Sequence, residues 1–321
     1  MGQKGRVCVT GAGGFCASWV VKLLLSKGYT VHGTVRDPDA EKNAHLKKFE
    51  NASTNLVLFK ADLLDNNTIS SAISGCHGVF HVASPVPPGK VQDPEKDLLD
   101  PAVKGTLNVL KASKEAGVQR VVFVSSIAAV SMNPNWSRDK VIDENCWSDK
   151  EFCRTTENWY CLSKTMAESE AFEYGQKSGL DLVSVCPTLV LGPMIQPTIN
   201  ASSLVLIKLL KGNQQCVPNK TWSIIDVRDL AEALLLVYET PEASGRYIGV
   251  AYGATVKEMV EIMRCQYPNH NYPKQFTDEE EDAVQFRSEK LQRLGWKFRP
   301  LEETLVDSVK HFEEAGLVSR S

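Results

Sequence analysis

Six short runs rich in β-branched residues, each followed by a stretch of helical periodicity, constrain this 321-residue chain more than any other feature. The runs fall at 6–10, 30–35, 56–60, 78–82, 120–124 and 181–185. Each is almost continuously apolar, so a strand formed there has both faces covered, and the intervening helices supply the cover. Parallel strands joined by right-handed helical crossovers meet both demands. The expected fold class is α/β, a doubly wound parallel sheet of the Rossmann type with a smaller C-terminal substrate lobe. Ligands of such sheets lie in the crevice beyond the carboxyl ends of the strands.

After Pro187 the rhythm changes, with Gly192, Pro193, Pro197, Gly212 and Pro218 marking loops around a helix at 202–210. Further helices are expected at 227–239, 256–263 and 301–315, and a strand at 246–249. The expected division is a nucleotide-binding domain at 1–190 and a mainly substrate-binding lobe at 191–321, with a segment near 222–250 returning to the first. The acidic run from Asp278 to Asp282 reads as a solvated loop or helix start.

Composition excludes partners more than it assigns them. A net charge of −3 leaves no electrostatic footprint for nucleic acid or an anionic membrane. Nine scattered cysteines, an odd count, suit a reduced, cytoplasmic protein better than a disulfide framework. No apolar run approaches spanning length, and no His, Cys and carboxylate cluster has metal-ligand spacing, so neither a membrane nor a metal is expected. The oligomeric state is left open, and a monomer is compatible with the sequence.

Directly after the first strand, Gly11-Ala12-Gly13-Gly14-Phe15 opens a helix at 15–27 closed by Gly28. A glycine cluster alone makes an ordinary tight turn; between a strand and a helix it lets the backbone approach a pyrophosphate at the positive helix end. Gly11, Gly13, Gly14 and Phe15 are the expected contacts. At the end of the second strand, where NAD enzymes place a carboxylate, stands Arg36, and with Lys42 it suits the 2′-phosphate of NADP(H). Asp37, beside it, would suit a 2′-hydroxyl. Asp62 and Leu63 follow the third strand, where Asp62 either accepts from the adenine amino group or begins a helix. Ala83, Ser84 and Pro85 end the fourth strand beside the crevice.

Tyr160 and Lys164 stand four residues apart on a long helical pattern, hence on one face. A phenol with an ordinary pKa of about 10 exchanges protons poorly at neutral pH, and an adjacent ammonium and a nicotinamide cation are together expected to stabilise its phenolate. At the end of the fifth strand, Ser126 is preferred over Ser125 as donor to a substrate oxygen, since successive strand residues point opposite ways. Ser125 is assigned to the cofactor side. Lys164 also holds the nicotinamide ribose, and Pro187, Thr188 and Val190 offer backbone contacts to the carboxamide. A lone Tyr-x-x-x-Lys pair is common on amphipathic helices; its place after the fifth strand is what singles this one out. His81 reads as a satisfied strand histidine, and Trp136, Trp147 and Met194 as either pocket or core.

With these residues in place, the chain resembles the extended short-chain dehydrogenase/reductases. Within them it is similar to the plant group of cinnamoyl-CoA reductases, reductase-like cinnamyl alcohol dehydrogenases and dihydroflavonol reductases. The strings that carry the likeness are Val7-Cys8-Val9-Thr10-Gly11 through Phe15, Val35-Arg36-Asp37-Pro38, Lys42-Asn43, Val82-Ala83-Ser84-Pro85, Asp143-Glu144 with Cys146-Trp147-Ser148, and Asn158-Trp159-Tyr160-Cys161. The resemblance implies the roles of Ser126, Tyr160 and Lys164, Arg36 and Lys42 on the 2′-phosphate, and a small aromatic carbonyl, a phenylpropanoid, as substrate. It also makes a reversible Cys153–Cys161 disulfide conceivable, although two reduced packing thiols are the plainer reading.

Departures narrow the substrate. Cinnamoyl-CoA reductases resemble Asn-Trp-Tyr-Cys-Tyr-Gly-Lys at the active-site helix, where this chain has Leu162-Ser163 before Lys164. Their His in the helix after Asn200-Ala201-Ser202 is Val205 here, and the basic residues they carry after Gly245-Arg246-Tyr247 are absent from Val250-Ala251-Tyr252-Gly253. The Asn with which dihydroflavonol reductases hold the flavonoid is Ser131. A free aldehyde of the cinnamaldehyde or coniferaldehyde type, reduced reversibly to its alcohol, is the expected substrate, ahead of the thioester and then the dihydroflavonol ketone. Two rivals stand beside it: a sugar-nucleotide epimerase or dehydratase, against which Arg36 speaks, and a non-catalytic NADPH-sensing scaffold, which has no need of Tyr160 and Lys164.

Overall fold

The computed structural model describes residues 4–85, 92–137, 140–212, 215–277 and 284–319; the acidic run from Asp278 to Asp282 lies outside them. In chain order the strands are β1 (Arg6–Thr10), β2 (Thr30–Val35), β3 (Leu56–Lys60), β4 (Gly78–His81), β5 (Arg120–Val124), β6 (Val141–Ile142) and β7 (Leu182–Pro187). They continue with β8 (Leu189–Leu191), β9 (Cys216–Pro218), β10 (Thr221–Asp226), β11 (Gly245–Gly249), β12 (Tyr252–Thr255), β13 (Gln275–Thr277) and β14 (Gln285–Phe286). The α-helices are α1 (Phe15–Ser26), α2 (Ala52–Asn55), α3 (Asn66–Ile73), α4 (Asp100–Glu115), α5 (Lys150–Thr155) and α6 (Trp159–Ser178). After them come α7 (Ala201–Lys211), α8 (Val227–Glu239), α9 (Val256–Gln266), α10 (Glu289–Arg293) and α11 (Leu301–Glu314).

Seven strands form the main sheet in the order β3-β2-β1-β4-β5-β7-β11. Every neighbouring pair is parallel, as the continuous apolar runs require. Strand order reverses between β1 and β4, and this is the switch point at which a doubly wound sheet opens a ligand crevice. One face packs on α1 and α8, where Val21, Leu24, Leu25, Leu230 and Leu234 are buried. The other packs on α3, α4 and α6 through Ile69, Ile73, Leu110 and Ala171. Burying each such side chain contributes about 1.5–3 kcal/mol. The first cluster continues without a break into Leu206, Met259 and Phe312 of the C-terminal helices, so the later elements share the core of the sheet.

Two strand ends differ from the sequence pattern, each for a tertiary reason. β4 stops at His81 because the next two amides, of Val82 and Ala83, donate to the Thr10 hydroxyl at 3.1 and 3.0 Å. β7 runs on to Pro187 because β11 pairs beside it, with Ile248 opposite Cys186 and Gly249 opposite Pro187. A three-stranded sheet, β12-β10-β8, had no counterpart in the sequence reading. The active-site helix α6 is bounded by the side chain of Asn158, which accepts from the Cys161 amide, and by Gly179 in the left-handed region at φ 66°. No described helix is long and apolar enough to cross a membrane.

Candidate active site

The turn between β1 and α1 is shaped by two crowded glycines. Gly11 has φ +66°, and a Cβ there would lie 3.0 Å from that of Ala83. A Cβ on Gly13 would lie 2.1 Å from Oδ1 of Asn43, whose amide is itself tied to the Asp37 carbonyl at 2.7 Å. The Gly11 amide donates to the Thr34 hydroxyl at 3.0 Å and that of Ala12 to the Thr34 carbonyl at 2.9 Å, which pins the turn to β2. Gly14, the N-cap of α1, offers no side chain, so the first turn is left uncapped. This is a cradle into which an anionic pyrophosphate fits. The Phe15 ring is buried in the core, which leaves its backbone amide at the turn.

Arg36 and Lys42 are both exposed beyond β2 and make no ion pair among the described residues. The Asp37 carboxylate is occupied locally, accepting from the Asp39 amide at 3.0 Å. The residues here therefore fit a dinucleotide bearing a 2′-phosphate. Asp62 is exposed and closes its own turn by accepting from the Leu64 amide at 2.9 Å, while the acid that caps α3 is Asp65. Leu63 is half-buried against α4, with Asn108 donating to its carbonyl at 2.9 Å. Ala83, Ser84 and Pro85 line the mouth of the switch point, half-buried.

Ser125 and Ser126 part as alternation along a strand demands. The buried Ser125 hydroxyl donates to Glu168 at 2.9 Å. Ser126 instead stands beside the Tyr160 hydroxyl, near enough to lower that phenol, and its own oxygen accepts from the Ala128 amide at 3.2 Å. Lys164, one helical turn on, is buried at 4% exposure, and its ammonium is pushed down to about 8 chiefly by that burial. Burial holds Tyr160 above its ordinary value, against the lowering effect of Ser126. Thr188 gives both its amide and its hydroxyl to the Gly249 carbonyl, at 3.0 and 3.1 Å, and Val190 is buried in β8 opposite Ile225. Pro187, just before them, ends β7 at the crevice.

His81 is fully buried between two hydroxyls, Thr10 at 2.8 Å from Nδ1 and Thr106 at 3.3 Å from Nε2. Thr10 accepts two amides and so donates to Nδ1, leaving Nε2–H to donate to Thr106: a neutral ring is fully satisfied. Burial first, and then the charge of Lys164, depress its pKa to about 3. The unfolded chain, titrating near 6.5, binds the extra proton between these values, so stability is intact above pH 6.5 and lost as pH falls towards 3. The loss approaches about 4 kcal/mol. Denaturant unfolding from pH 7 to 4 checks this, with His81→Gln expected to flatten the slope.

Three residues near the site had no place in the sequence reading. Cys16, in the first turn of α1, lies within electrostatic reach of both Tyr160 and Lys164. Glu168 and Arg246 form a buried ion pair at 2.9 Å behind them. Glu168 lies four residues past Lys164, a visible signal; Arg246 reaches it only through the pairing of β11. Cys153 and Cys161 are free thiols in one apolar cluster with Leu162. Met194 is core, Trp147 carries the Arg246 guanidinium at 3.8 Å, and Trp136 packs on the cluster around Val130 and Ile248.

The family model described as the NAD dependent epimerase/dehydratase family matches residues 7–251. The chain belongs to that family. Several relatives similar along nearly the whole chain are reductases. Cinnamoyl-CoA reductase 2 of Medicago truncatula is 50% identical over 318 residues, covering 98% of this chain and 93% of that protein. The crystal structure of vestitone reductase from alfalfa (Medicago sativa) is 31% identical, with a TM-score of 0.84 over 98% of this chain and 100% of that one. Yeast methylglyoxal/isovaleraldehyde reductase, solved with NADPH, is 27% identical, with a TM-score of 0.85 over 98% of this chain and 100% of the other. This member of the epimerase/dehydratase family is accordingly an NAD(P)-dependent reductase.

Proposed function

We propose that this protein reduces a phenylpropanoid aldehyde of the cinnamaldehyde or coniferaldehyde type to its alcohol, reversibly, using NADPH. The observation that carries the reading is the Tyr160–Ser126 hydroxyl pair, with Lys164 one turn away and the uncapped turn of α1 above. NADPH supplies a hydride when bound. The amides of Gly13 and Phe15 would hold its pyrophosphate, those of Gly11, Ala12 and Gly14 already donating within the turn and to Thr34; Arg36 and Lys42 would hold its 2′-phosphate, and Lys164 its ribose. Ser126 and Tyr160 orient the carbonyl oxygen, and as charge gathers there the Tyr160 proton moves onto it. Carbon gains a hydride and oxygen a proton, which balances to the alcohol. The raised phenol suits this direction, because it keeps its proton until that charge develops.

Support for a free aldehyde over a thioester comes from Leu162 and Ser163. Leu162 is fully buried beside Cys153 and Cys161, and Ser163 donates to the Tyr160 carbonyl at 2.8 Å, where cinnamoyl-CoA reductases present Tyr-Gly. Val205 on α7 adds an apolar side chain where those enzymes have a His. The likeness to a cinnamoyl-CoA reductase at 50% identity favours the second reading, reduction of the thioester to the aldehyde. Rates with cinnamaldehydes, cinnamoyl thioesters and dihydroflavonols, each with NADPH and with NADH, separate them. The aldehyde with NADPH is expected to be fastest, and a faster thioester would overturn the choice.

A further inference from the structure

The Glu168 carboxylate is completely buried, yet it touches neither crevice nor solvent. It accepts from Ser184 Oγ at 2.6 Å and Arg246 Nε at 2.9 Å on one oxygen, and from Ser125 Oγ at 2.9 Å on the other. The thiol of Cys186 lies 3.5 and 3.6 Å from its two oxygens. Three strands of the sheet, β5, β7 and β11, thus converge on one side chain of the helix that carries Tyr160 and Lys164. Arg246 is fixed in turn, donating to the carbonyls of Glu144 at 3.1 Å and Cys146 at 2.6 Å with its plane on Trp147. Uncompensated, a charge at either position would be strongly destabilising; together they are held in one geometry.

We propose that Glu168, held by Arg246, is a positioning residue for the hydride-transfer site: it locks the Lys164 face of α6 to the strand end bearing Ser126 and supplies the buried negative charge that Lys164 faces. This rests on the reading of Tyr160 and Lys164 given above. The groups within electrostatic reach of Lys164 are Cys186 from β7, Glu168 on its own helix, Cys16 from α1 and His81 from β4. Burial pushes both thiols far up, Cys16 to about 12, so they are uncharged at neutral pH, as is His81. Glu168, ion-paired to Arg246, is the anion among them. Its charge opposes the burial that drives the Lys164 ammonium down to about 8.

Removing that charge lets Lys164 lose its proton at lower pH, so the alkaline limb of the kcat/KM profile moves down. In Glu168→Gln a shift of about one pH unit is expected. Because this variant strands Arg246, the same profile is measured on Glu168→Gln/Arg246→Met, which removes both charges together. The limb is expected to stay displaced there. Glu168→Asp, keeping the charge on a shorter stem, is expected to hold the limb in place while kcat falls. A limb at its wild-type position in either Gln variant overturns the proposal, and so does failure of both to fold, which would make the pair a requirement of the fold alone. Tyr160→Phe is run beside them: if it still turns over, the reading of the site has failed; if it is inert and the limb is unmoved, only the role of Glu168 has.

Discussion

Tyr160→Phe is expected to lower kcat for aldehyde reduction by about 10³-fold while leaving NADPH affinity unchanged. The hydroxyl is the proton source in the proposed reaction, and its loss leaves the aromatic ring to fill the same half-buried position beside Ser126. Ring packing is conserved, so the fold and the nucleotide cradle have no reason to change. Steady-state rates together with fluorescence titration of NADPH check both halves. Retained turnover would remove Tyr160 from the chemistry and with it the reductase mechanism, whereas lost NADPH binding would show a collapsed site.

The second large effect belongs to Gly13→Ala. The new methyl would meet Asn43 Oδ1 at 2.1 Å, well inside any real carbon–oxygen contact. Asn43 is buried and bonded to the Asp37 carbonyl, so it yields only by giving up that bond or by displacing the turn. Overpacking of this kind costs about 1–3 kcal/mol, and displacement of the amides that face the pyrophosphate is expected to weaken NADPH binding about 10–100-fold. Gly13→Ala/Asn43→Ala, which opens the space, should recover most of the loss. If the single variant binds NADPH normally, the turn is not the cradle assigned to it.

Both effects involve residues that a reader of the sequence singles out, but for different reasons. Tyr160 and Lys164 are four apart on a helix, and helical geometry makes neighbours of them without reference to anything distant. Gly13 is visible as a motif, while its reason for being glycine is Asn43, thirty residues on and brought in by a 3₁₀ segment at Glu41–Lys48. The choice between Ser125 and Ser126 was also legible, because alternation along a strand is a local rule. What became of the rejected hydroxyl was not, since Glu168 meets it from another element.

Local periodicity by itself determined the strands β1 to β5, the helices between them, their parallel arrangement and the Tyr160–Lys164 face, because each follows from φ/ψ preferences and from which side of an element must be covered. Tertiary structure alone decided where β4 and β7 end, the raised phenol of Tyr160 and the ion pair behind Lys164. Those depend on Thr10 meeting the amides beyond β4, on β11 docking against β7 and on how deeply the helix face is buried. Burial and long-range pairing are properties of the assembled chain, and no window of sequence contains them.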